Sequence, residues 1–232
     1  MLDQREVRPE IMDTPDMAGE RHCAALRGLE RINAWSGSAR ILWPELMRLA
    51  RESGEEIRVL DVATGAGDVP IRLWHKARQK GLRMVFDGID RSGSAVEHAR
   101  GRAAECGADV HFFVADAANS SLPNGYDVAM CSLFLHHLTN DEAESFLRKM
   151  AAAACQLVLV NDLRRSMTGL ALAYVGTRLL SRSPVVHIDG ALSVRAAFTL
   201  AEVRELAERA GLRGAIVMRQ WPYRYLLTWR RP

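Results

Sequence analysis

The sequence predicts one α/β domain built on a doubly wound, seven-stranded, mostly parallel sheet. Three observations carry that expectation. Short apolar runs alternate with stretches whose apolar residues recur at helical spacing. The first run, residues 58–62, closes on a turn holding Gly65 and Gly67. Aspartates stand at or just past the ends of three successive runs, as Asp61, Asp90 and Asp116.

The elements follow in order. The first 20 or so residues are polar and carry Pro9 and Pro15, which reads as a loosely ordered arm. Leu26, Leu29 and Ile32, then Leu42, Leu46 and Leu49, mark two helices separated by Ser36-Gly37-Ser38. These make residues 1–54 an N-terminal arm and helical cap, and residues 55–232 the main domain. Strands are expected over residues 58–62, 84–90, 110–114, 126–133 and 157–160. Between them, helices run from about residue 68 to 80, from a capping-box pair Ser94/Glu97, and from a second pair Thr139/Glu142. A last helix opens at Thr199/Glu202, with Phe198 and Val203 as its hydrophobic staple and Gly211 just past its end. Residues 215–218 and 223–229, joined by a turn near Trp221-Pro222, read as an antiparallel hairpin at the sheet edge. The interval 161–197 is far longer than a usual connection of about 2–6 residues. It predicts a lid inserted after strand five, over residues 163–197, with a helix over Met167 to Leu180.

Composition excludes several classes. The chain has 232 residues, within reach of one large domain, with 48% hydrophobic and 25% charged residues. A net charge of +3 does not by itself call for nucleic acid. No apolar run reaches the roughly 18 residues of a membrane span, and no secretory signal opens the chain. Cys23, Cys106, Cys131 and Cys155 form no CxxC pair, which reads as reduced, packed thiols in the cytoplasm with no metal site.

The chemistry concentrates at the predicted strand ends. Small residues in Ala63-Thr64-Gly65-Ala66-Gly67 let a ligand approach the backbone, and the next helix aims its N-terminus at the same place. The third glycine of a dinucleotide fingerprint is missing, with Pro70 in its stead. Asp61 would repel a pyrophosphate and suits a ligand bearing positive charge. Asp90 can accept both hydroxyls of a ribose, and Asp116 a hydrogen bond from an exocyclic amine. A nucleoside with a cationic appendage satisfies all three.

This order of residues, followed by the strand Tyr126-Asp127-Val128-Ala129-Met130-Cys131-Ser132-Leu133, resembles the class I S-adenosylmethionine-dependent methyltransferases, over roughly residues 55–230. The turn at residues 63–68 resembles the small-molecule branch that methylates quinones and related phenols; Ala63 departs from the glycine frequent there. The resemblance implies a Rossmann-like sheet and S-adenosylmethionine as cofactor. It implies a cofactor site of Asp61, Ala63, Thr64, Gly65, Gly67, Asp90, Arg91, Asp116, Ala117 and Leu133.

It also places the segment Leu133-Phe134-Leu135-His136-His137-Leu138 beside the transferring methyl. His136 or His137 can then serve as base for a phenol or hydroxyl nucleophile. Alternatively one imidazole is packed in the structure and the other touches only the cofactor. Asp162 orients a histidine, holds a polar group of the substrate or caps the following helix, the cap being preferred. In the lid, Tyr174 lies on an apolar helix that covers an apolar substrate and binds it or else packs in the core, His187 is a second base candidate and Arg195 can hold a substrate oxygen. A turn at Asp189-Gly190 with an ion pair on its rim is the plainer reading there.

The expected activity is methyl transfer to a small, largely apolar acceptor, first a phenolic or enolic oxygen of a polyketide or quinone-like compound. C-methylation of a quinol-type ring and a non-catalytic cofactor-binding protein are the alternatives. A nucleic-acid substrate is not expected, because the Asn/Asp-Pro-Pro-aromatic tetrad and a separate basic module are both missing.

Overall fold

The structure, a computed structural model, describes residues 2, 4–11, 28, 31, 32 and 36–232. The expectations for Cys23, Leu26, Leu29 and most of the first N-terminal helix lie outside the described residues. The elements are α1 (Ser38–Ser53), β1 (Ile57–Val62), α2 (Asp68–Gln79), β2 (Met84–Asp90), α3 (Gly93–Cys106), β3 (Val110–Val114) and β4 (Tyr126–Ser132). After a 3-10 turn (Leu135–His137) come α4 (Asn140–Ala153), β5 (Ala154–Leu163), α5 (Met167–Leu180), α6 (Pro184–Ala196), α7 (Leu200–Arg209), β6 (Ile216–Gln220) and β7 (Arg224–Arg230).

The seven strands lie in the order β3-β2-β1-β4-β5-β7-β6. β1 pairs in parallel with β2 and β4, β2 with β3, and β4 with β5. β7 runs antiparallel to both β5 and β6, as the hairpin signal implied. The five inner strands are largely buried on both faces, which explains their continuous apolar runs, while the edge strands β3 and β6 leave Phe113, Val114, Ile216 and Met218 exposed. Leu42, Leu46, Val59, Leu73, Phe86, Val96 and Phe112 form the core on the side of α1, α2 and α3. Val62, Phe146, Leu147, Val158, Val203 and Leu227 form the core on the side of α4 and α7. Strand order reverses between β1 and β4, and the carboxyl ends of those two strands border the crevice where an open α/β sheet takes its ligands.

Helix ends follow their capping residues. Thr139 accepts from the Glu142 amide and Thr199 from the Glu202 amide, each with the reciprocal glutamate contact of a full capping box. For α3 the expectation is corrected. Ser92, not Ser94, is the cap, because its extended backbone lets its hydroxyl accept from the Ala95 amide. A second correction concerns the lid, where residues 187–190 are helical and belong to α6. A Cβ on Gly190 would meet Thr177 of α5 at 2.6 Å, so this glycine serves helix–helix approach rather than a turn. Cys106 and Cys155 are exposed rather than packed, while Cys131 is buried.

The arm is a third correction. The described part of the arm is pinned to the lid and to the turn after β4 by hydrogen bonds spanning more than 130 positions of sequence. Arg5 donates to the carbonyls of Ala196 (2.7 Å), Leu138 (2.8 Å) and His136 (3.2 Å), and its guanidinium lies 3.5 Å above the Phe198 ring. The Ile11 amide donates to Asp189, and Arg165 to the Leu2 carbonyl.

The two glycines after β1 have different reasons. Both have positive φ, 54° at Gly65 and 72° at Gly67. A Cβ on Gly67 would meet Phe112 at 2.6 Å and Ala99 at 2.9 Å, whereas one on Gly65 meets nothing within 4 Å. Gly67→Ala is therefore expected to cost about 2–4 kcal/mol, combining left-handed strain with overpacking, and Gly65→Ala about 1–2 kcal/mol. Urea unfolding of the two variants checks the ranking.

Candidate active site

Of three described non-glycine residues with left-handed backbone, two follow the carboxyl ends of strands, Ala63 after β1 (φ 57°) and Leu133 after β4 (φ 60°), and the third, Tyr223 (φ 50°), precedes β7. Such strain persists only where surrounding structure over-determines it, and it gathers at ligand sites. The tips carrying it flank the reversal point of the sheet. The Leu133 amide donates to Asn161 at the end of β5. The Ala63 departure thus falls where a glycine would be conformationally freer.

Asp61 lies in β1 with 1% of its surface exposed. Its Oδ2 accepts from the Thr64 hydroxyl at 2.6 Å, while its Oδ1 is buried with no hydrogen-bond partner. Burial pushes the carboxyl up to about 7; the Thr64 hydrogen bond opposes this, and Asp68 and Asp90 add to it. A buried carboxylate oxygen lacking a donor is costly. A cationic N–H donor in the crevice removes that cost.

Asp90 ends β2. Its Oδ2 accepts from the Gly65 amide (2.8 Å) and its Oδ1 from the Ser92 amide (2.9 Å). It thereby ties the β1 turn to the cap of α3, and each oxygen keeps a second lone pair for a hydroxyl. Asp116 is occupied locally. It accepts from the Ala118 amide and from the amide and side chain of Asn119, chiefly the last, which holds its carboxyl below the usual range. Ala117 beside it is buried, and Arg91 is exposed, close enough to Asp116 to help lower its pKa.

The two histidines separate sharply. His136 is 3% exposed, and its Nδ1 lies 2.6 Å from Asp162 Oδ1, while its backbone amide donates to Asp162 Oδ2 at 3.0 Å. Its Nε2 faces Glu10 Oε1 at 3.6 Å. Burial lowers the imidazole pKa, but Asp162 and Glu10 together outweigh it and raise it to about 10. Burial raises the pKa of Glu10 and Asp162, yet the His136 contacts hold both below the usual carboxylate range. His136 is thus clamped between two carboxylates that favour its protonated form. His137 keeps 24% of its side-chain surface, packs against Phe134 at a ring separation of 6.0 Å, and has Nε2 3.9 Å from Glu10 Oε2.

Donor atoms of Glu10, His136 and His137 all lie within 4.8 Å of one another, a spacing at which a cation can be held.

The remaining expectations are placed as follows. Asp162 does not cap the helix after β5; Ser166 does, accepting from the Gly169 amide. Asp162 is fully buried and spends its carboxylate on His136, the orienting alternative. Tyr174 lies on the solvent side of α5, 55% exposed. His187 Nε2 is engaged by the Ser181 carbonyl at 2.8 Å. Arg195 sits half-buried in the last turn of α6. Sequence reasoning missed Glu10. Its side chain is met by the Ser193 hydroxyl from α6, and no local pattern in the arm marks it.

Residues 59–155 match a family model described as a methyltransferase domain. No curated protein matches the chain. Among solved structures, the chain is similar to the S-adenosylmethionine-dependent methyltransferase SibL in its apo form (24% identity, TM-score 0.63), covering 87% of this chain and 57% of that one. It is similar to magnesium protoporphyrin IX methyltransferase from Synechocystis PCC 6803 with bound SAH (17%, TM-score 0.58), covering 95% and 91%. An O-methyltransferase family 2 protein from Planctomyces limnophilus DSM 3776 in complex with apigenin is also similar (16%, TM-score 0.64), covering 94% and 63%. The chain therefore spans under two thirds of the length of the first and third of these.

Proposed function

We propose that this chain is an S-adenosylmethionine-dependent methyltransferase that moves the methyl group to a phenolic or enolic oxygen of a small, largely apolar acceptor. The observation that carries the reading is the pairing of two features at neighbouring strand tips. One is a buried aspartate oxygen without a donor. The other is a partly exposed histidine, His137, with the buried Glu10 carboxylate 3.9 Å from its Nε2.

Asp61, the 63–67 turn and Asp90 suit a nucleoside with a cationic tail. The orphaned Asp61 oxygen accepts from an ammonium, Asp90 from ribose hydroxyls, and the open space over Gly65 admits the ligand. Bound S-adenosylmethionine supplies an electrophilic methyl on a positively charged sulfur.

The protein's own work is alignment and proton removal. His136 is buried with each ring nitrogen facing a carboxylate, so we assign the base to His137 and give His136 the task of fixing the turn that carries it. His137 would accept the acceptor's hydroxyl proton, leaving the oxygen to take the methyl group that bound S-adenosylmethionine would supply. The Glu10 carboxylate lies near enough to stabilise the imidazolium that results.

Asp90→Ala is expected to weaken S-adenosylmethionine binding by about 1–3 kcal/mol, since ribose hydroxyls lose their acceptor. Titration calorimetry reads this, and an unchanged affinity would remove Asp90 from the ribose. The reaction itself is checked with labelled cofactor and a panel of phenols and enols. Methyl ethers are the expected products. Ring-methylated products would move the transfer to carbon, and binding without turnover across the panel would contradict a catalytic role.

A further inference from the structure

Among the described residues, helix α5 leaves an apolar stripe uncovered. Met167 is 65% exposed, Tyr174 55%, Val175 52% and Leu179 80%, and Ile188 of the neighbouring α6 is 50% exposed. Met167, Ala171, Tyr174, Val175 and Arg178 recur at the spacing that puts residues on one helical face, with Leu179 beside it. A contiguous apolar face of this kind marks an interaction surface rather than chance exposure.

Charge says what covers it. Residues 163–188 hold Arg164, Arg165, Arg178 and Arg182 and not one Asp or Glu. Arg165 is spent inside on Glu202 at 2.6 Å, but Arg178 and Arg182 are exposed. The Arg178 guanidinium stacks 3.5 Å from the centre of the Tyr174 ring, so a cation and an amphipathic aromatic stand together on the exposed face. At 14 residues α5 is too short to cross a bilayer, and no helix among the described residues is long and apolar enough to do so.

We propose that this face docks on an anionic lipid bilayer, with α5 lying in the interface. Apolar side chains enter the acyl boundary while Arg178 and Arg182 reach the acidic headgroups. A second copy of the chain fits less well, because a two-fold contact would set an arginine-bearing, acid-free stretch against itself. The proposal goes beyond the methyl-transfer reading and does not depend on it. It places the catalytic domain where apolar acceptors concentrate.

The test is flotation of the purified full chain with vesicles of phosphatidylcholine, with and without phosphatidylglycerol. The wild type is expected to float with the anionic vesicles, less with the neutral ones, and to be released by salt. Val175→Asp/Leu179→Asp is expected to lower partitioning about tenfold or more, with thermal stability and S-adenosylmethionine affinity unchanged. Arg178→Glu/Arg182→Glu is expected to remove the preference for anionic lipid. A wild type that never floats overturns the proposal, and so does a double aspartate variant that floats equally well. A dimer dissolved by the aspartate variant, with no vesicle binding, assigns the face to a second copy and overturns it too. Cofactor affinity, measured on the same samples, keeps this outcome separate from that of the methyltransferase reading.

Discussion

Asp162→Asn is expected to destabilise the protein by about 3–5 kcal/mol at neutral pH, the cost of leaving a buried imidazolium without its carboxylate. The side chain is isosteric, so the loss is one of charge rather than volume. The pH dependence gives a second, more specific signature. His136 has its folded pKa raised to about 10 from an ordinary 6.5. Its stabilisation is therefore complete below about 6.5 and is lost as pH rises through 10. Asp162 and Glu10 have folded values below their ordinary ones, so their contribution is present above the carboxylate range and is lost as pH falls through it. The wild type should be most stable between these limits. The gap between wild type and Asp162→Asn should narrow as pH is raised from 7 towards 10. Urea denaturation across that interval checks it, and a gap independent of pH would mean the pair carries no charge.

The second large effect concerns turnover. His137→Ala is expected to lower the rate about 10²–10⁴-fold with cofactor affinity changed little, the pattern of a lost general base. Glu10→Gln should act in the same direction but more weakly, since it removes the charge that stabilises His137 after proton transfer. Single-turnover rates with an accepted phenol, measured beside cofactor affinity, separate the two quantities. Wild-type turnover in His137→Ala would take that residue out of the mechanism.

Much of the fold could be read from local signals, because each is a short-range event. Thr139/Glu142 and Thr199/Glu202 close their helices within three residues, and the β1 turn carries its own glycines. The misreadings are instructive in the same terms. Ser92 and Ser94 flank one glycine and differ only in backbone conformation, which a sequence does not display. Asp189-Gly190 has turn composition, but the glycine is there because Thr177 of another helix presses on it.

The site was legible in proportion to how local it is. Asp61 and Asp90 lie at the tips of adjacent strands and could be named from spacing. Asp162 and His136 are 26 positions apart and meet only because β4 and β5 end side by side. Glu10 comes from an arm without apolar periodicity, and Ser193, which holds it, is 183 positions away. Nothing near Glu10 in the sequence announces a buried carboxylate. The surrounding elements create that burial.

Titration calorimetry of S-adenosylmethionine into the wild type and Asp61→Asn, repeated from pH 6 to pH 8, addresses the crevice most directly. Asp61 is held near 7 by burial, so below that pH it carries a proton and offers the ligand's ammonium only a neutral, weaker acceptor. Expected for the wild type is one-to-one binding that tightens up to tenfold per pH unit until about pH 7 and then levels, with proton release on binding below it. Asp61→Asn should bind more weakly and lose the slope. Binding with equal affinity and no slope in both proteins, or a wild type that takes a nicotinamide or flavin nucleotide in preference, would contradict the assignment.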